Sequence, residues 1–238
     1  MYCTGLIAAA GMGVRLGGGT PKGLRELAGR ALVAHAVERM LQVAAVRALV
    51  VAAPPDHEAD VRHALADIDT GGVSLDVIVG GAERADSVKL MMAAAPPPTT
   101  HVLIHDAARC CTPPSQIMRV VEALAAGHEA VIPVVPVVDT VARVRDDRVL
   151  GNVPRDELRL VQTPQGFDIA ALRRAYAAAG EDRTATDDAS LVARLGLPVM
   201  TVAGSRAALK VTTPEDLVVA QALGLADQGD AARGRIAQ

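Results

Sequence analysis

The stretch Ala9-Ala10-Gly11-Met12-Gly13-Val14-Arg15-Leu16-Gly17-Gly18-Gly19-Thr20-Pro21-Lys22 combines glycines with two cations seven residues apart, Arg15 and Lys22. Glycines let backbone N–H groups approach phosphate oxygens, and two such side chains suit a triphosphate held from two sides. Two familiar phosphate loops do not fit. The dinucleotide fingerprint needs a third glycine where Leu16 stands and an acidic residue after the next strand, which instead ends Ala52-Ala53-Pro54-Pro55. A P-loop needs Gly-Lys-Ser/Thr, but Lys22 lies between Pro21 and Gly23. A triphosphate loop of another kind remains, beside the alternative of a mobile loop with merely solvated cations.

Lysine is scarce: Lys22, Lys89 and Lys210 stand among 24 basic side chains, the rest arginine. A lysine offers a compact charge with rotatable donors, useful against a phosphoryl oxygen whose charge grows during reaction. Lys210 precedes Val211-Thr212-Thr213-Pro214 at the start of the last helix, where an anion can sit; Lys89 reads as a surface residue. Asp106 ends a strand, Val102-Leu103-Ile104-His105, where its carboxylate can reach a magnesium ion or a substrate hydroxyl, or simply cap the following turn. Six scattered histidines carry no metal or catalytic spacing, and three cysteines (Cys3, Cys110, Cys111) read as free thiols.

These residues need a scaffold, and the periodicities supply one. Aliphatic runs at Leu6 to Ala10, Leu49 to Ala53, Leu75 to Val79, Val102 to His105, Ala130 to Val134 and Val199 to Val202 alternate with helical patterns such as Ile117, Val120, Val121 and Leu124. Gly127 and Gly196 stand where helices end, and Thr213-Pro214-Glu215-Asp216 reads as a helix start. The expected class is α/β: a Rossmann-like, mostly parallel sheet with helices on both faces. Thr140 to Val153 breaks the rhythm as strand, turn, strand. Such an arm is marginal alone, so a second subunit is its economical partner.

Composition narrows the function classes. A chain of 238 residues, half of them hydrophobic, affords a sizeable core. A net charge of −3 and three aromatic residues leave neither the basic footprint nor the stacking platforms of nucleic-acid binders. No apolar run reaches the roughly 20 residues that span a bilayer. No membrane association is expected, and with no signal-peptide pattern at the N-terminus the expected compartment is cytoplasmic.

Further stretches carry a resemblance: Gly80-Gly81-Ala82-Glu83-Arg84-Ala85-Asp86-Ser87-Val88, His105-Asp106-Ala107-Ala108-Arg109, Thr163-Pro164-Gln165, Thr186-Asp187-Asp188-Ala189-Ser190 and Leu209-Lys210-Val211-Thr212. With the glycine loop and Pro21-Lys22, they resemble the 2-C-methyl-D-erythritol 4-phosphate cytidylyltransferase family, to about Leu225. The resemblance implies attack of the methylerythritol phosphate on the α-phosphate of CTP, with magnesium present and pyrophosphate leaving. It implies that Arg15 and Lys22 contact the triphosphate, and that Ala9, Ala10, Gly11, Gly13, Gly81, Ala82 and Ser87 line the CTP pocket. It further implies that Asp106, Arg109, Thr163 and Lys210 hold the small polyol phosphate, Lys210 also orienting its attacking oxygen.

By the same resemblance the arm, about 138–159, interlocks two subunits of a homodimer and delivers Arg155 and Thr140 to the neighbour's site. Residues 1–225 form one nucleotidyltransferase domain and 226–238 a flexible tail. Ala8, Ala82 and Cys110 depart from residues common among relatives (proline, aspartate and proline), which implies altered affinity rather than lost activity. Ribitol 5-phosphate cytidylyltransferases share the fold and the glycine loop, and a non-catalytic nucleotide-binding regulatory module is the rival of another class.

Overall fold

A computed structural model describes residues 1–17, 19–180 and 187–223; the expected tail, 226–238, lies outside them. In chain order the strands are β1 (Cys3–Ala8), a short pair β2 (Glu26–Leu27) and β3 (Arg30–Ala31), β4 (Val46–Ala53), β5 (Ser74–Val79), β6 (His101–Asp106) and β7 (Ala130–Pro136). The arm strands β8 (Val141–Arg145) and β9 (Arg148–Val153) follow, then β10 (Arg159–Val161), β11 (Gln165–Asp168) and β12 (Met200–Ala203). The helices are α1 (Leu32–Leu41), α2 (Glu58–Leu65), α3 (Arg84–Ala94), α4 (Pro114–Ala125), α5 (Ile169–Ala179), α6 (Asp188–Arg194) and α7, spanning 214–223.

The fold is α/β as expected. One sheet runs β5-β4-β1-β6-β11-β7, with β10 beside the far half of β7 and β12 on its other edge. Pairing is parallel from β5 to β6 and between β7 and β12, while β10 and β11 run antiparallel. Alternate residues of each strand feed opposite faces. Ile7, Val51, Leu103 and Val131 join a core with α1, α2 and α4; Leu6, Val50, Val102 and Phe167 join one with α3, α5 and α6. Phe167 is fully buried, so Phe167→Ala costs about 3–5 kcal/mol, read as a lower urea midpoint at unchanged slope.

The expected strands form, with shifted ends. β1 begins at Cys3 and closes at Ala8, because Ala9 and Ala10 already turn into the glycine loop; the Ala9 N–H still donates to the Ala52 carbonyl (3.0 Å). Gly127 and Gly196 follow α4 and α6 with φ of 97° and 76°, the left-handed geometry of helix-stopping glycines. Neither β10 nor β11 was expected. The arm is a separate two-stranded sheet whose turn places Asp146 and Asp147 at φ 47° and 59°, as a tight hairpin requires.

Candidate functional site

The chain order makes the site. From β1 the connections run outward to β4 and β5, then return to the other side of β1 at β6, so a crevice opens at the carboxyl ends of β1 and β6. A cavity of about 440 Å³ lies there, lined by the glycine loop, the turn before α3, the end of β6 and Lys210. Ala9, Ala10, Gly11, Gly13, Arg15, Lys22, Gly81, Ala82, Ser87, Asp106 and Lys210, separated widely in sequence, all reach it.

Local hydrogen bonds shape its walls. The Lys22 N–H donates to the Gly11 carbonyl (3.1 Å), and a Cβ on Gly13 (φ 66°) would stand 2.7 Å from that of Lys22. Only glycine permits the loop to close so tightly over its lysine. Opposite, the buried Ser87 hydroxyl accepts from the Gly81 N–H (3.0 Å) and donates to the Glu83 carbonyl (3.2 Å), so it braces the turn. Burial pulls the Lys22 ammonium down to about 8, aided by Lys210 and Arg15 and opposed by Asp106 and Asp216.

Asp106 is the anionic hub. Its Oδ2 meets Lys210 Nζ at 2.8 Å and Arg109 Nε at 3.7 Å, and its Oδ1 meets Arg84 Nε at 3.4 Å. Burial raises its carboxyl, but Lys210, Arg84 and Arg109 more than offset this and hold it well below the usual carboxylate range. The expected anion seat at the start of α7 is already filled: Asp216 Oδ2 accepts from the Thr212 and Thr213 N–H groups (2.8 and 2.9 Å). Lys210 pairs with Asp106 instead. Arg84 was missed by sequence reading, although a cation opening a helix runs against the helix dipole and was a usable signal.

Thr163 takes a bracing position. Its Oγ1 accepts from the Asp106 N–H (3.1 Å) and bonds the fully buried His105 Nδ1 (2.9 Å). Burial drives the His105 imidazole down to about 4, against an opposing pull from Asp106. A folded-state value below the unfolded one near 6.5 means a contribution complete above pH 6.5 and lost as pH falls toward 4. Urea midpoints should therefore fall between pH 7 and pH 5, and His105→Asn should flatten that fall.

A second cavity, of about 500 Å³, opens beyond Lys210. Arg109, Arg159, Arg206 and Lys210 line it with no carboxylate among its walls. Arg109 also ties these walls together, donating to the carbonyls of Ala208 (2.7 Å) and Val161 (3.3 Å). The arm residues Thr140 and Arg155 line neither cavity of their own chain; Arg155 Nη1 donates to the Val138 carbonyl (2.6 Å).

The donor set does not suit a metal cage. Both Asp106 oxygens face cations, and among the described residues no group of three His, Cys, Asp or Glu could hold an ion. Nor is any described helix long and apolar enough to cross a membrane.

Comparison with known proteins agrees with this geometry. The profile of the family 2-C-methyl-D-erythritol 4-phosphate cytidylyltransferase matches residues 3–224. The protein of that name from Frankia casuarinae is 49% identical over 96% of this chain and 84% of its own, and the one from Saccharopolyspora erythraea 48% over 94% and 99%. The crystal structure of the Thermus thermophilus protein, 37% identical, superposes with a TM-score of 0.75 over 94% of this chain and 98% of its own. With the family profile spanning the strands, the glycine loop and Lys210 alike, this chain belongs to the 2-C-methyl-D-erythritol 4-phosphate cytidylyltransferase family.

Proposed function

We propose that this protein transfers the cytidylyl group of CTP to 2-C-methyl-D-erythritol 4-phosphate, giving 4-diphosphocytidyl-2-C-methyl-D-erythritol and pyrophosphate in non-mevalonate isoprenoid precursor synthesis. The observation that carries this reading is Lys210, which lines both the nucleotide cavity and the anion-free cationic cavity beside it. A donor shared by two adjoining cavities suits a reaction in which two phosphates must meet. A phosphate oxygen of the acceptor forms a bond to the α-phosphorus, and the bond from that phosphorus to the β-bridging oxygen breaks. The acceptor phosphate is already ionised, so the protein's task is positioning and charge stabilisation by Arg15, Lys22 and Lys210.

The magnesium ion of the reading would travel with the triphosphate, held by phosphate oxygens and water, since Asp106 is occupied by cations. A homodimer is part of the proposal. Val144, Val149 and Leu150 lie 59%, 68% and 60% exposed on an arm that pairs with no other strand among the described residues, a surface suited to a second copy. Arg155 and Thr140 would then act in the partner's site. Cys3, Cys110 and Cys111 are buried as thiols, which fits a reducing compartment, and the cytoplasm is the proposed one.

The test is pyrophosphate release by purified protein with CTP and magnesium, offered methylerythritol phosphate and ribitol 5-phosphate in parallel, with Lys22→Ala as control. Turnover with methylerythritol phosphate alone, abolished in the control, is expected. Turnover with ribitol phosphate alone would overturn the acceptor, and silence with both despite CTP binding would favour a regulatory module.

A further inference from the structure

Two stretches that the proposed chemistry does not use meet behind the site. Gln165 of β11 donates to Asp187 Oδ2 (2.8 Å) and accepts from the Ala189 N–H (3.2 Å), fixing the first turn of α6. Asp187 caps that helix through the Ser190 N–H (3.0 Å). The next residue, Asp188, is 1% exposed and lines neither cavity. Tyr176 donates its hydroxyl to Asp188 Oδ1 (2.5 Å), which leaves Oδ2 facing Arg84 Nη1 at 2.7 Å.

Arg84 thus stands between two carboxylates, and the distances show how it is divided. It is tight on Asp188 at 2.7 Å and loose on Asp106 at 3.4 Å, while Lys210 is tight on Asp106 at 2.8 Å. A guanidinium with a free choice would fork onto Asp106 with two parallel bonds, the geometry it prefers. That arrangement would compete directly with Lys210 for the same carboxylate.

We propose that Asp188 is a positioning residue: by holding the end of the Arg84 guanidinium it keeps that cation from capturing Asp106, and so leaves Asp106 free to orient the Lys210 ammonium. The Tyr176 hydroxyl serves the same end by directing Asp188 Oδ2 toward Arg84. The consequence is a site whose lysine depends on a carboxylate with no access to substrate.

The scarcity of lysine makes this testable without turnover. Acetylation by limiting acetic anhydride, mapped by mass spectrometry and normalised to the N-terminal amine, reports how firmly Lys210 is held; only Lys22 and Lys89 compete as lysines. In Asp188→Asn, which keeps the shape and removes the charge, Lys210 labelling rises severalfold. The double variant Asp188→Asn/Arg84→Gln removes the competitor and returns Lys210 to wild-type protection. Unchanged labelling in the single variant, or labelling that stays high in the double, would overturn the proposal.

Arg84→Gln alone separates competition from simple bracing. Lys210 stays protected if Arg84 competes for Asp106, whereas increased labelling means that Arg84 supports Asp106 and the proposal fails; this arm also serves should Asp188→Asn not fold. The kinetic arm rests on the cytidylyltransferase reading. There Asp188→Asn lowers kcat about tenfold with CTP affinity nearly unchanged, the signature of a misplaced group rather than a lost contact. A wild-type protein without turnover would sink the proposed function, while the labelling still decides the role of Asp188.

Discussion

Replacing Lys22 by alanine lowers kcat/KM for CTP by about a hundredfold or more, and it also erases an alkaline limb from CTP binding. On the proposed reaction, the size follows from a preorganised charge aimed at developing phosphoryl charge, carried by a half-buried side chain. The limb follows from the ammonium's value of about 8, set first by burial and then by the neighbouring Lys210 and Arg15. Below pH 8 the free protein carries the charge that the triphosphate needs. Above it the proton must be taken up on binding, so the apparent Kd rises about tenfold per pH unit. Calorimetry between pH 6.5 and 9.5 reads this directly. Lys22→Ala binds CTP weakly with no break near 8, and Lys22→Arg, always charged, loses the break while keeping more affinity. A wild-type Kd flat to pH 9.5 would show that Lys22 does not meet the triphosphate.

What the sequence revealed depended on how local each cause was. The glycine loop was legible because its constraint is short-range: Gly13 must admit Lys22, nine positions away, on one turn of chain. The strands were legible as aliphatic runs, since a strand covered on both faces is apolar throughout. β11 was not, because Gln165, Gly166, Phe167 and Asp168 show neither alternation nor an aliphatic run. Gly166 is small for a reason only the fold shows: a Cβ there would stand 2.5 Å from Val120 of α4. Between β10 and β11 the pairing to β7 slips by two residues, and that slip turns Thr163 toward Asp106 and His105.

The cluster around Asp106 was only half legible for a similar reason. Asp106 and Arg109 lie one turn apart, but Arg84 reaches Asp106 across 22 residues, and Lys210 arrives from the far end of the chain. No periodicity links such positions. Their meeting follows from the return of the chain from β5 to β6, beside the loop that leads out of β1. Residue types alone marked Lys210, by its rarity, and left Arg84 among the many arginines.

Activity returns when two inactive variants, Arg155→Ala and Lys22→Ala, are mixed, provided that the arm serves its neighbour's site. Within one chain Arg155 donates to Val138 and lines neither cavity, so a role at the reacting phosphates would require a second copy. In a mixed dimer one site combines the intact Lys22 of the first variant with the intact arm of the second, and the other site carries both lesions. After unfolding and refolding an equal mixture, half of the dimers are mixed and each has one sound site of two, so activity recovers to about a quarter of the wild type. If each arm served its own chain, every site would keep one lesion and mixing would restore nothing. The two outcomes differ by the full effect of a catalytic cation, and the recovery needs no assumption about rates. Arg159 provides the contrast: it lines the second cavity of its own chain, so Arg159→Ala mixed with Lys22→Ala should show no such recovery.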